Sequence, residues 1–375
     1  MRVVVVTTSL TGGGAEFVGR TWAEWLQANG HEVRVFTTDP SSPPDSGSPL
    51  RVSSLGGRSA FGTVRALRRV LAGEPADVVV ALQSLPNLVA IAAVRDRRDR
   101  PALLVSERNI TTREHEPSSA AERAKLWLAK RLYRRADAVI AVSHAVAAEL
   151  VSEFRVPGDR IVIVPNPAAR SAEERVAEGW ARPSAGADDD TLHVVLPMRV
   201  VPQKRPDLAV AAVAQLRSEG TDARLLCFGQ GQGIVELEAA ARAADVPLAM
   251  GGWTHDWVSQ SPANSVAVLP SYREGFGNVL VEAALGGIPS VAVSNSYGVA
   301  DALVPTVTGE LAFVGTKEDL AAAIRRARRS SPRYVSGWAR RFSREHSGRL
   351  LLRSMDKALA TRNAGTPRAR IGPTE

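Results

Sequence analysis

Short apolar runs recur along this chain and alternate with stretches of helical periodicity. In the first half they predict strands at Arg2–Thr8, Glu32–Thr37, Ala76–Ala81, Ala102–Ser106, Ala138–Val142 and Ile161–Val164. Runs that are apolar at successive positions, rather than at alternate ones, are typical of parallel strands buried on both faces. The sequence therefore predicts a doubly wound α/β layer, in which helices cover both faces of a parallel sheet.

A second series of the same kind follows a break in the pattern. Pro167, Ser171 and the run Arg182-Pro-Ser-Ala-Gly-Ala have the composition of loops and linkers. Predicted strands then resume at His193–Pro197, Arg224–Phe228, Val266–Leu269 and Ser290–Val293. We therefore divide the chain into a first domain (1–170), a linker (171–190) and a second domain (191–337). The polar tail at 361–375 is predicted to be disordered.

The chain carries a formal net charge of +8, which suits an acidic ligand or an anionic surface without identifying either. Part of the excess lies in a predicted helix over residues 121–135, where Leu126, Leu128, Leu132 and Tyr133 form an apolar stripe. A basic amphipathic helix can lie on an anionic membrane. The stripe is no wider than a helix packed on a sheet needs, so the sequence favours a packed helix. Peripheral contact with an anionic membrane stays open as the alternative.

The sequence gives no sign of disulfides or of a membrane span. Cys227, the one cysteine, stands in the apolar run Leu225-Leu-Cys-Phe and is predicted to be a core residue. The four valines after Arg2 are too short for the apolar core of a secretory signal. The longest apolar stretch, 76–94, contains Asp77 and Gln83, which argues against a spanning helix. We therefore predict a cytoplasmic protein, and its alanine, arginine and valine content is typical of a GC-rich bacterial genome.

Two glutamates flank a glycine-rich loop and the start of a predicted helix in the segment Glu274-Gly-Phe-Gly-Asn-Val-Leu-Val-Glu282. The glycines predict a tight loop, and the helical pattern runs over Asn278–Leu285. At about 1.5 Å per residue, eight positions span up to about 12 Å, so the two carboxylates cannot share one proton. They can bind the two ends of one long ligand, while the free N–H groups of the helix start favour a diphosphate between them. A nucleotide-sugar has this shape.

This segment resembles the E-x7-E motif of the retaining glycosyltransferases of family 4, the group 1 type. In that family the first glutamate contacts the donor sugar and the second the ribose hydroxyls, which implies that Glu274 faces a hexose and Glu282 the ribose. The resemblance also implies that the residues between them bind the donor, namely Gly275, Phe276, Gly277, Asn278 and Val279. The family has the GT-B architecture, in which two doubly wound domains face each other across a cleft. Its last helix crosses back onto the first domain, and residues 338–360 are the candidate here.

Two cations follow the first predicted strand of the second domain. Arg199 and Lys204 stand in Pro197-Met-Arg-Val-Val-Pro-Gln-Lys-Arg-Pro-Asp, at the carboxyl end of a strand, where α/β sheets bind ligands. A guanidinium and an ammonium at this place can neutralise a leaving diphosphate. The segment resembles the family's R-x4-K-(G/R)-x-D motif, whose cations bind the donor phosphates. The resemblance thus implies that Glu274, Arg199 and Lys204 are the catalytic residues.

Two glycine-rich turns also follow predicted strands. The run Gly12-Gly-Gly-Ala-Glu16 opens the first helix, where glycines allow close backbone approach and the helix start can receive an anion. It resembles the family's N-terminal loop at the cleft, which implies donor contacts at Gly13 and Gly14 and an acceptor-side position for Glu16. Gly229 begins the run Gly-Gln-Gly-Gln-Gly, which is similar to the family's G-x-G turn near the nucleotide. A plain strand-to-helix turn explains that run equally well.

The segment after the fourth predicted strand departs from the family pattern. Many members have a histidine there that touches the donor sugar or the acceptor, whereas this chain has Glu107, Arg108 and Asn109. The resemblance places these three residues on the acceptor or sugar side. His144 is predicted to start a helix that lines the cleft. Asp301, in Gly298-Val-Ala-Asp, stands where the family has the glutamate of a G-x-x-E motif.

We therefore predict a retaining glycosyltransferase that moves a hexose-type sugar from a nucleotide-sugar, UDP-linked, to an acceptor hydroxyl. The acceptor is left open between a lipid-linked glycan, a small natural product and a polysaccharide, and nucleic acid is not an expected partner. No metal or other cofactor is expected, because the sequence has no H-E-x-x-H, no cysteine cluster and no D-x-D at a strand end. The alternatives are a UDP-sugar epimerase of the same architecture and a non-catalytic nucleotide-sugar-binding homologue. A nicotinamide enzyme is disfavoured, since the first loop lacks the dinucleotide fingerprint.

Overall fold

The computed structural model describes residues 1–10, 13–40, 49–57, 59–97, 99–112, 119–167, 190–254, 256–330, 332 and 335–365. The predicted linker lies outside these ranges except for its last residue, Asp190. The tail beyond Gly365 also lies outside them.

The first half of the chain forms a seven-stranded sheet in which every neighbouring pair of strands is parallel. Its order is β3-β2-β1-β4-β5-β6-β7. The strands are β1 (Arg2–Thr7), β2 (Glu32–Thr37), β3 (Arg51–Ser54), β4 (Val78–Leu82), β5 (Ala102–Glu107), β6 (Ala138–Ala141) and β7 (Ile161–Ile163). Strands β4, β5 and β6 are buried at every position, as expected when helices cover both faces.

Three of the five helices described in this half begin after a serine that caps them. The five are α1 (Gly14–Ala28), α2 (Ala60–Gly73), α3 (Ser84–Val94), α4 (Ala120–Leu132) and α5 (His144–Ser152). Ser59, Ser119 and Ser143 are the N-cap residues of α2, α4 and α5, and each hydroxyl accepts a hydrogen bond from the N–H three residues on. Such caps satisfy one of the N–H groups that a helix start leaves unpaired. None of the described helices combines the length and apolarity that crossing a bilayer requires.

The second half repeats the design with a six-stranded parallel sheet. Its order is β10-β9-β8-β11-β12-β13. The strands are β8 (Leu192–Leu196), β9 (Ala223–Cys227), β10 (Leu248–Met250), β11 (Ser265–Leu269), β12 (Ser290–Val293) and β13 (Gly309–Ala312). The helices are α6 (Pro206–Ser218), α7 (Ile234–Ala243), α8 (Asn278–Leu285), α9 (Lys317–Arg328), α10 (Ser336–Ala339) and α11 (Arg344–Gly365). Cys227 is fully buried in the core, as predicted, and burial raises the pKa of its thiol to about 11.

The last helix, α11, returns to the first half of the chain and packs on α1, β5 and β6. The indole Nε1 of Trp22 donates to Ser347 Oγ at 2.9 Å, and that of Trp25 donates to Glu345 Oε2 at 2.7 Å. Gly348 lies directly under the Trp25 ring, where a Cβ would stand 2.2 Å from Cδ2. Leu351, Met355 and Ala358 then enter the core formed by β1, β5 and β6. The family's crossing helix is thus present.

The predicted bounds of this C-terminal region differ from the observed ones. The sequence indicated one helix near 338–360, whereas α10 is followed by a 3-10 turn (Arg340–Phe342) before α11 begins at Arg344. Phe342 is fully buried and packs against Phe276 and Trp338, so the break buries an aromatic ring between two helical segments. Helix α11 also runs to Gly365, which makes residues 361–365 helical although their composition predicted disorder.

Candidate active site

The predicted site residues lie at equivalent positions in the two sheets, at the ends of strands where the strand order reverses. In each sheet the strand order reverses once, between β1 and β4 in the first and between β8 and β11 in the second. Ligands of α/β sheets bind at the carboxyl ends of the strands at such a switch point. The loop with Gly14 follows β1, Arg199 and Lys204 follow β8, and Glu274 follows β11. The predicted residues therefore lie at the switch points of both sheets.

Lys204 and Glu274 form an ion pair in the interior of the cleft. Lys204 Nζ lies 2.5 Å from Glu274 Oε1, and the two side chains are only 15% and 10% exposed. The adjoining loops are tied together, because Tyr272 N donates to the Gln203 carbonyl and Gln203 Nε2 donates to the Arg273 carbonyl, both at 3.0 Å. A charge buried in this way needs a partner. The resemblance assigned the two side chains to different parts of a donor, and in the structure each is the other's partner.

Arg199 and the glycine turn form one unit at the end of β8. Arg199 is exposed, and the residue after it, Val200, donates its N–H to the Gln230 carbonyl at 2.9 Å. A Cβ on Gly229 would stand 1.9 Å from the Met198 carbonyl oxygen. Gly229 therefore lets the turn pack against the Arg199 segment. This close packing accounts for the glycine, and a direct donor contact at Gly229 stays a prediction.

Helix α8 starts at Asn278, as the sequence predicted. Its N-cap residue, Gly277, has φ +96, in the left-handed region that favours glycine. Because glycine has no side chain, no N-cap side chain binds the first N–H groups of the helix. Phe276 is buried beside this start and contacts the Phe342 ring, while Val279 is half-buried. The helix start therefore presents backbone N–H groups at the end of the Glu274 loop.

The two halves of the molecule touch at glycines and at a chain of amides. A Cβ on Gly275 would lie 2.2 Å from the Arg108 carbonyl oxygen, and one on Gly14 would lie 3.2 Å from Asn278 Nδ2. Asn166 Nδ2 donates to Asn278 Oδ1 at 2.6 Å, and Arg108 in turn donates to Asn166 Oδ1. The loop predicted to bind the donor is therefore in direct contact with the first domain.

A second contact between the domains joins His144 to Asp301. The backbone N–H of His144, at the start of α5, lies 2.9 Å from Asp301 Oδ2, and its ring Nδ1 lies 2.8 Å from the same oxygen. His144 does begin a helix at the cleft, as predicted. The aspartate that departs from the family motif is thus used to hold the two domains together.

Glu16 is fixed at the switch point of the first sheet by Gln83. Gln83 Nε2 donates to Glu16 Oε1 at 2.8 Å, and Gln83 Oε1 accepts from the N–H of Thr8 at 3.1 Å. Gln83 has φ +76, a conformation that non-glycine residues rarely adopt. Gly13 packs beside them, since a Cβ there would stand 3.3 Å from Glu16 Oε2. Gln83 was not predicted as a site residue, although it is a polar residue that follows a buried strand, the same signal that Arg199 and Glu274 carry.

Glu107, at the end of β5, is a buried carboxyl with two donors. Tyr133 OH donates to Oε2 at 2.9 Å and Arg108 N donates to Oε1 at 3.0 Å, while Asn87 Nδ2 donates to the Tyr133 hydroxyl. Burial raises the pKa of Glu107 to about 7, against the lowering effect of these hydrogen bonds. The carboxyl therefore titrates near neutral pH.

Glu107 and Asn109 line a cavity of about 110 Å³ between β5 and α4. Apolar atoms of Leu126 and Phe154 form one wall, and Arg273 reaches it from the second domain. Arg108 turns the other way: its guanidinium lies 5.0 Å from the Trp22 ring centroid and donates to Ser106 Oγ at 3.2 Å. Burial lowers the pKa of Arg108 to about 9. Of the four residues assigned to the acceptor or sugar side, Glu107 and Asn109 line this cavity, whereas Glu16 and Arg108 do not.

Glu282 lies in the second turn of α8 and accepts a hydrogen bond from Trp257 Nε1 at 2.7 Å. Burial raises the pKa of Glu282, and the indole N–H opposes that shift. Trp257 was not predicted, because no sequence spacing connects a tryptophan in a loop with a glutamate 25 residues later.

Among the residues that the structure describes, no three histidine, cysteine, aspartate or glutamate side chains are grouped so that they could hold a metal ion.

Two family models match the sequence, and together they cover most of it. Residues 12–169 match "Glycosyltransferase Family 4" and residues 181–336 match "Glycosyl transferases group 1". Among curated proteins the chain is similar to the D-inositol 3-phosphate glycosyltransferase of Streptomyces scabiei, with 32% identity over 44% of this chain and 40% of that protein. The same enzyme of Stackebrandtia nassauensis is 28% identical over 64% of this chain and 58% of that protein. The chain thus spans about half the length of these curated relatives.

Solved structures share the fold over almost the whole chain. Sucrose-phosphate synthase from Thermosynechococcus elongatus aligns with a TM-score of 0.71 and 19% identity over 97% of this chain and 98% of that one. Anabaena Alr3699/HepE, solved in complex with UDP, aligns with a TM-score of 0.73 and 19% identity over 95% of this chain and 100% of that one. With two facing parallel-sheet domains, a crossing C-terminal helix and both family models matched, the chain has the GT-B fold and belongs to the family 4, group 1 glycosyltransferases.

Proposed function

We propose that this protein is a retaining glycosyltransferase that moves a hexose from a UDP-sugar to an acceptor hydroxyl. The observation that carries the proposal is the convergence, at the switch point of the second sheet, of the Lys204–Glu274 pair with the start of α8 and Glu282. UDP and a hexose are proposed because Anabaena Alr3699/HepE, of similar fold, was solved with UDP and glucose. The family membership favours this function over an epimerase or a non-catalytic homologue.

The proposed donor pose follows the order of these groups along the cleft. The diphosphate would lie at the start of α8, where unpaired N–H groups and the helix dipole favour negative charge. Lys204 and Arg199 would neutralise it further, and Lys204 would exchange part of its contact with Glu274 for a phosphate oxygen. Glu274 would then be free to bind hexose hydroxyls. Glu282, one turn along α8, would accept hydrogen bonds from the ribose.

In the proposed reaction the acceptor oxygen attacks the anomeric carbon on the face from which the diphosphate leaves. The new C–O bond forms as the bond to the phosphate oxygen breaks, and that phosphate oxygen takes the acceptor's proton. Arg199, Lys204 and the α8 start stabilise the charge that develops on the leaving group. We propose that these groups suffice without a metal ion.

The cavity beside Glu107 is the proposed acceptor subsite. Its carboxylate and the Asn109 side chain can bind hydroxyls, and Leu126 and Phe154 offer an apolar wall to the flat face of a ring. These features fit a hydroxyl-rich ring such as a sugar or a cyclitol. The relatives named as D-inositol 3-phosphate glycosyltransferases are consistent with a cyclitol. A lipid-linked glycan, a small natural product and a polysaccharide end are the other acceptors that such a subsite can take.

The function is tested first with a panel of UDP-, GDP-, ADP- and TDP-sugars, with and without EDTA. Thermal shift reports binding, and release of free nucleotide reports slow hydrolysis. We expect one UDP-hexose to bind most tightly and to be cleaved at the same rate in EDTA. A donor cleaved only with added metal would contradict metal independence, and the absence of binding to every donor would contradict the function itself.

Lys204→Ala and Glu282→Ala are each expected to lower turnover of the donor at least tenfold, which corresponds to about 1.4 kcal/mol in the barrier. The reason is the loss of a phosphate contact in the first variant and of a ribose contact in the second. Lys317→Ala, at an exposed lysine of α9, is the matched control and should keep the wild-type rate. Unfolding midpoints are needed as well, because Lys204→Ala leaves a buried glutamate without its partner. Near-wild-type kinetics in both variants would refute the site assignment.

The raised pKa of Glu107 predicts that the free energy of unfolding depends on pH. The pKa in the folded state is about 7, above the ordinary value of 4.5, so the folded protein binds a proton there that the unfolded chain has lost. Stability is therefore expected to fall as pH rises from about 4.5 to about 7, by up to about 3 kcal/mol. Glu107→Gln should abolish most of this loss in urea unfolding at pH 5 and pH 8, whereas Glu236→Gln, at an exposed position of α7, should not. Parallel pH profiles for wild type and Glu107→Gln would contradict the assignment.

We also propose that α4 contacts anionic membranes. Its Leu126 and Leu132 pack on the core as the packed-helix interpretation predicted, but Trp127 and Leu128 are 55% and 39% exposed. The Arg131 guanidinium lies 4.5 Å from the Trp127 ring centroid, so apolar surface and positive charge meet at one place, as in helices that lie on anionic lipid.

Sedimentation with vesicles of phosphatidylglycerol tests this contact. Trp127→Ala is expected to lower binding by at least about fivefold, since an indole partitions strongly into the interface, and added salt should weaken what remains. Phe61→Ala, at a phenylalanine of α2 that is 78% exposed, is the control and should bind like wild type. Binding that Trp127→Ala leaves unchanged would rule out this surface.

A further inference from the structure

The carboxylate of Glu282 is held by a tryptophan that has little freedom to move. Trp257 is 4% exposed and packs with Val195, Phe228, Val258, Ala267, Ala283 and Ile288. Its Nε1, which can only donate, lies 2.7 Å from Glu282 Oε2. Since packing fixes the indole, the N–H defines where that oxygen stands. The rotamer of Glu282 is therefore set by a residue outside α8.

The second carboxylate oxygen of Glu282 has a different environment. No residue in the described part of the chain donates a hydrogen bond to Oε1, and the Glu282 side chain as a whole is only half-buried. Ala283 and Ala284, the next residues of the helix, are buried against the sheet. One oxygen is thus anchored by the protein, and the other has no hydrogen-bond donor among the described residues.

We propose that Trp257 is a positioning residue for nucleotide binding: it anchors one oxygen of Glu282 so that the other accepts a hydrogen bond from a ribose hydroxyl. This inference rests on the proposed function, in which Glu282 binds the ribose. Two physical effects support it. A carboxylate fixed in advance loses less rotamer entropy when it binds. The indole N–H also stabilises the charged form, which is the better acceptor and which burial alone disfavours.

The first test is Trp257→Phe, which retains an aromatic ring in the cluster and removes the N–H. We expect UDP to bind roughly tenfold more weakly, which is about 1.4 kcal/mol at 25 °C, and the donor KM to rise by a similar factor. The kcat at saturating donor should stay near the wild-type value, because Glu282 itself is retained and in the proposed pose Trp257 acts on the donor only through it. A lower kcat with unchanged UDP affinity would overturn the proposal.

The matched control is Trp25→Phe. Trp25 is buried and its Nε1 also donates to a glutamate, Glu345, at 2.7 Å, but it does so beneath α11. Both variants lose the same kind of hydrogen bond, so urea unfolding should register a similar loss of stability in each. Only Trp257→Phe is expected to weaken UDP binding. Equal weakening in both would mean that the effect is a general loss of stability and would overturn the proposal.

Nucleotides that lack a ribose hydroxyl make the test specific. If Trp257 acts through Glu282, the penalty of Trp257→Phe should be large for UDP and should nearly vanish for 2′-deoxy-UDP or 3′-deoxy-UDP, whichever lacks the bonded hydroxyl. A penalty of the same size for all three nucleotides would overturn the inference. If the wild-type protein binds none of these nucleotides, the proposed function itself is contradicted. If the wild type binds UDP but the penalty is equal for all three nucleotides, only the role of Trp257 is contradicted.

Should Trp257→Phe fail to fold, 3-benzothienylalanine at position 257 replaces it in the same comparison. In this isostere of tryptophan a sulfur atom stands in place of the indole N–H, so the shape of the side chain is kept and only the donor is lost. The same selective loss of affinity for UDP is expected. Full affinity for UDP in that protein would overturn the proposal.

Discussion

The direction of the strands is the constraint on which the whole cleft depends. Every strand pair in both sheets is parallel, so in each sheet the carboxyl ends of all strands lie on the same side. The loops on that side are the ones that can supply ligand-binding groups. The carboxyl-end loops of the two sheets meet where Gly275 approaches the Arg108 carbonyl. Close approach of this kind is possible only without a side chain, which gives the glycines of the Glu274 loop a steric role besides any contact with a donor.

Ionisable side chains that the cleft removes from water have hydrogen-bonding or charged partners in the protein. Lys204 is paired with Glu274, Glu107 is bonded to Tyr133, and Glu282 is bonded to Trp257. Burying a charge costs several kcal/mol unless a partner offsets it, so in the absence of ligand each group needs these contacts. Where a ligand contact replaces one that the protein already supplies, only the difference in strength between the two contacts contributes to binding. Two of the three partners, the Tyr133 hydroxyl and the Trp257 indole, are neutral donors, and such a hydrogen bond favours the charged carboxylate without cancelling its charge.

The sequence was sufficient for the central strands and for the residues at their ends, because both follow from local patterns. Strands β3, β10 and β13 were not predicted: β3 (Arg-Val-Ser-Ser) and β13 (Gly-Glu-Leu-Ala) have no continuous apolar run, and β10 is apolar but only three residues long. Among site residues, the α8 start and both glutamates of its motif lay where predicted. Asn166, Gln83 and Trp257 were missed, since each acts on a residue that is distant in sequence and the fold alone brings the two together.

Burial also alters the chemistry of the segment at the end of β5, where this sequence has Glu107, Arg108 and Asn109 and many family members have a histidine. An ordinary histidine titrates near pH 6.5, so at neutral pH it can either donate or accept a proton. A glutamate in water cannot, because its pKa is near 4.3. Burial raises the pKa of Glu107 to about 7, so both protonation states are populated near neutral pH. Desolvation between β5 and α4 therefore moves the pKa of this carboxyl into the range in which an imidazole titrates.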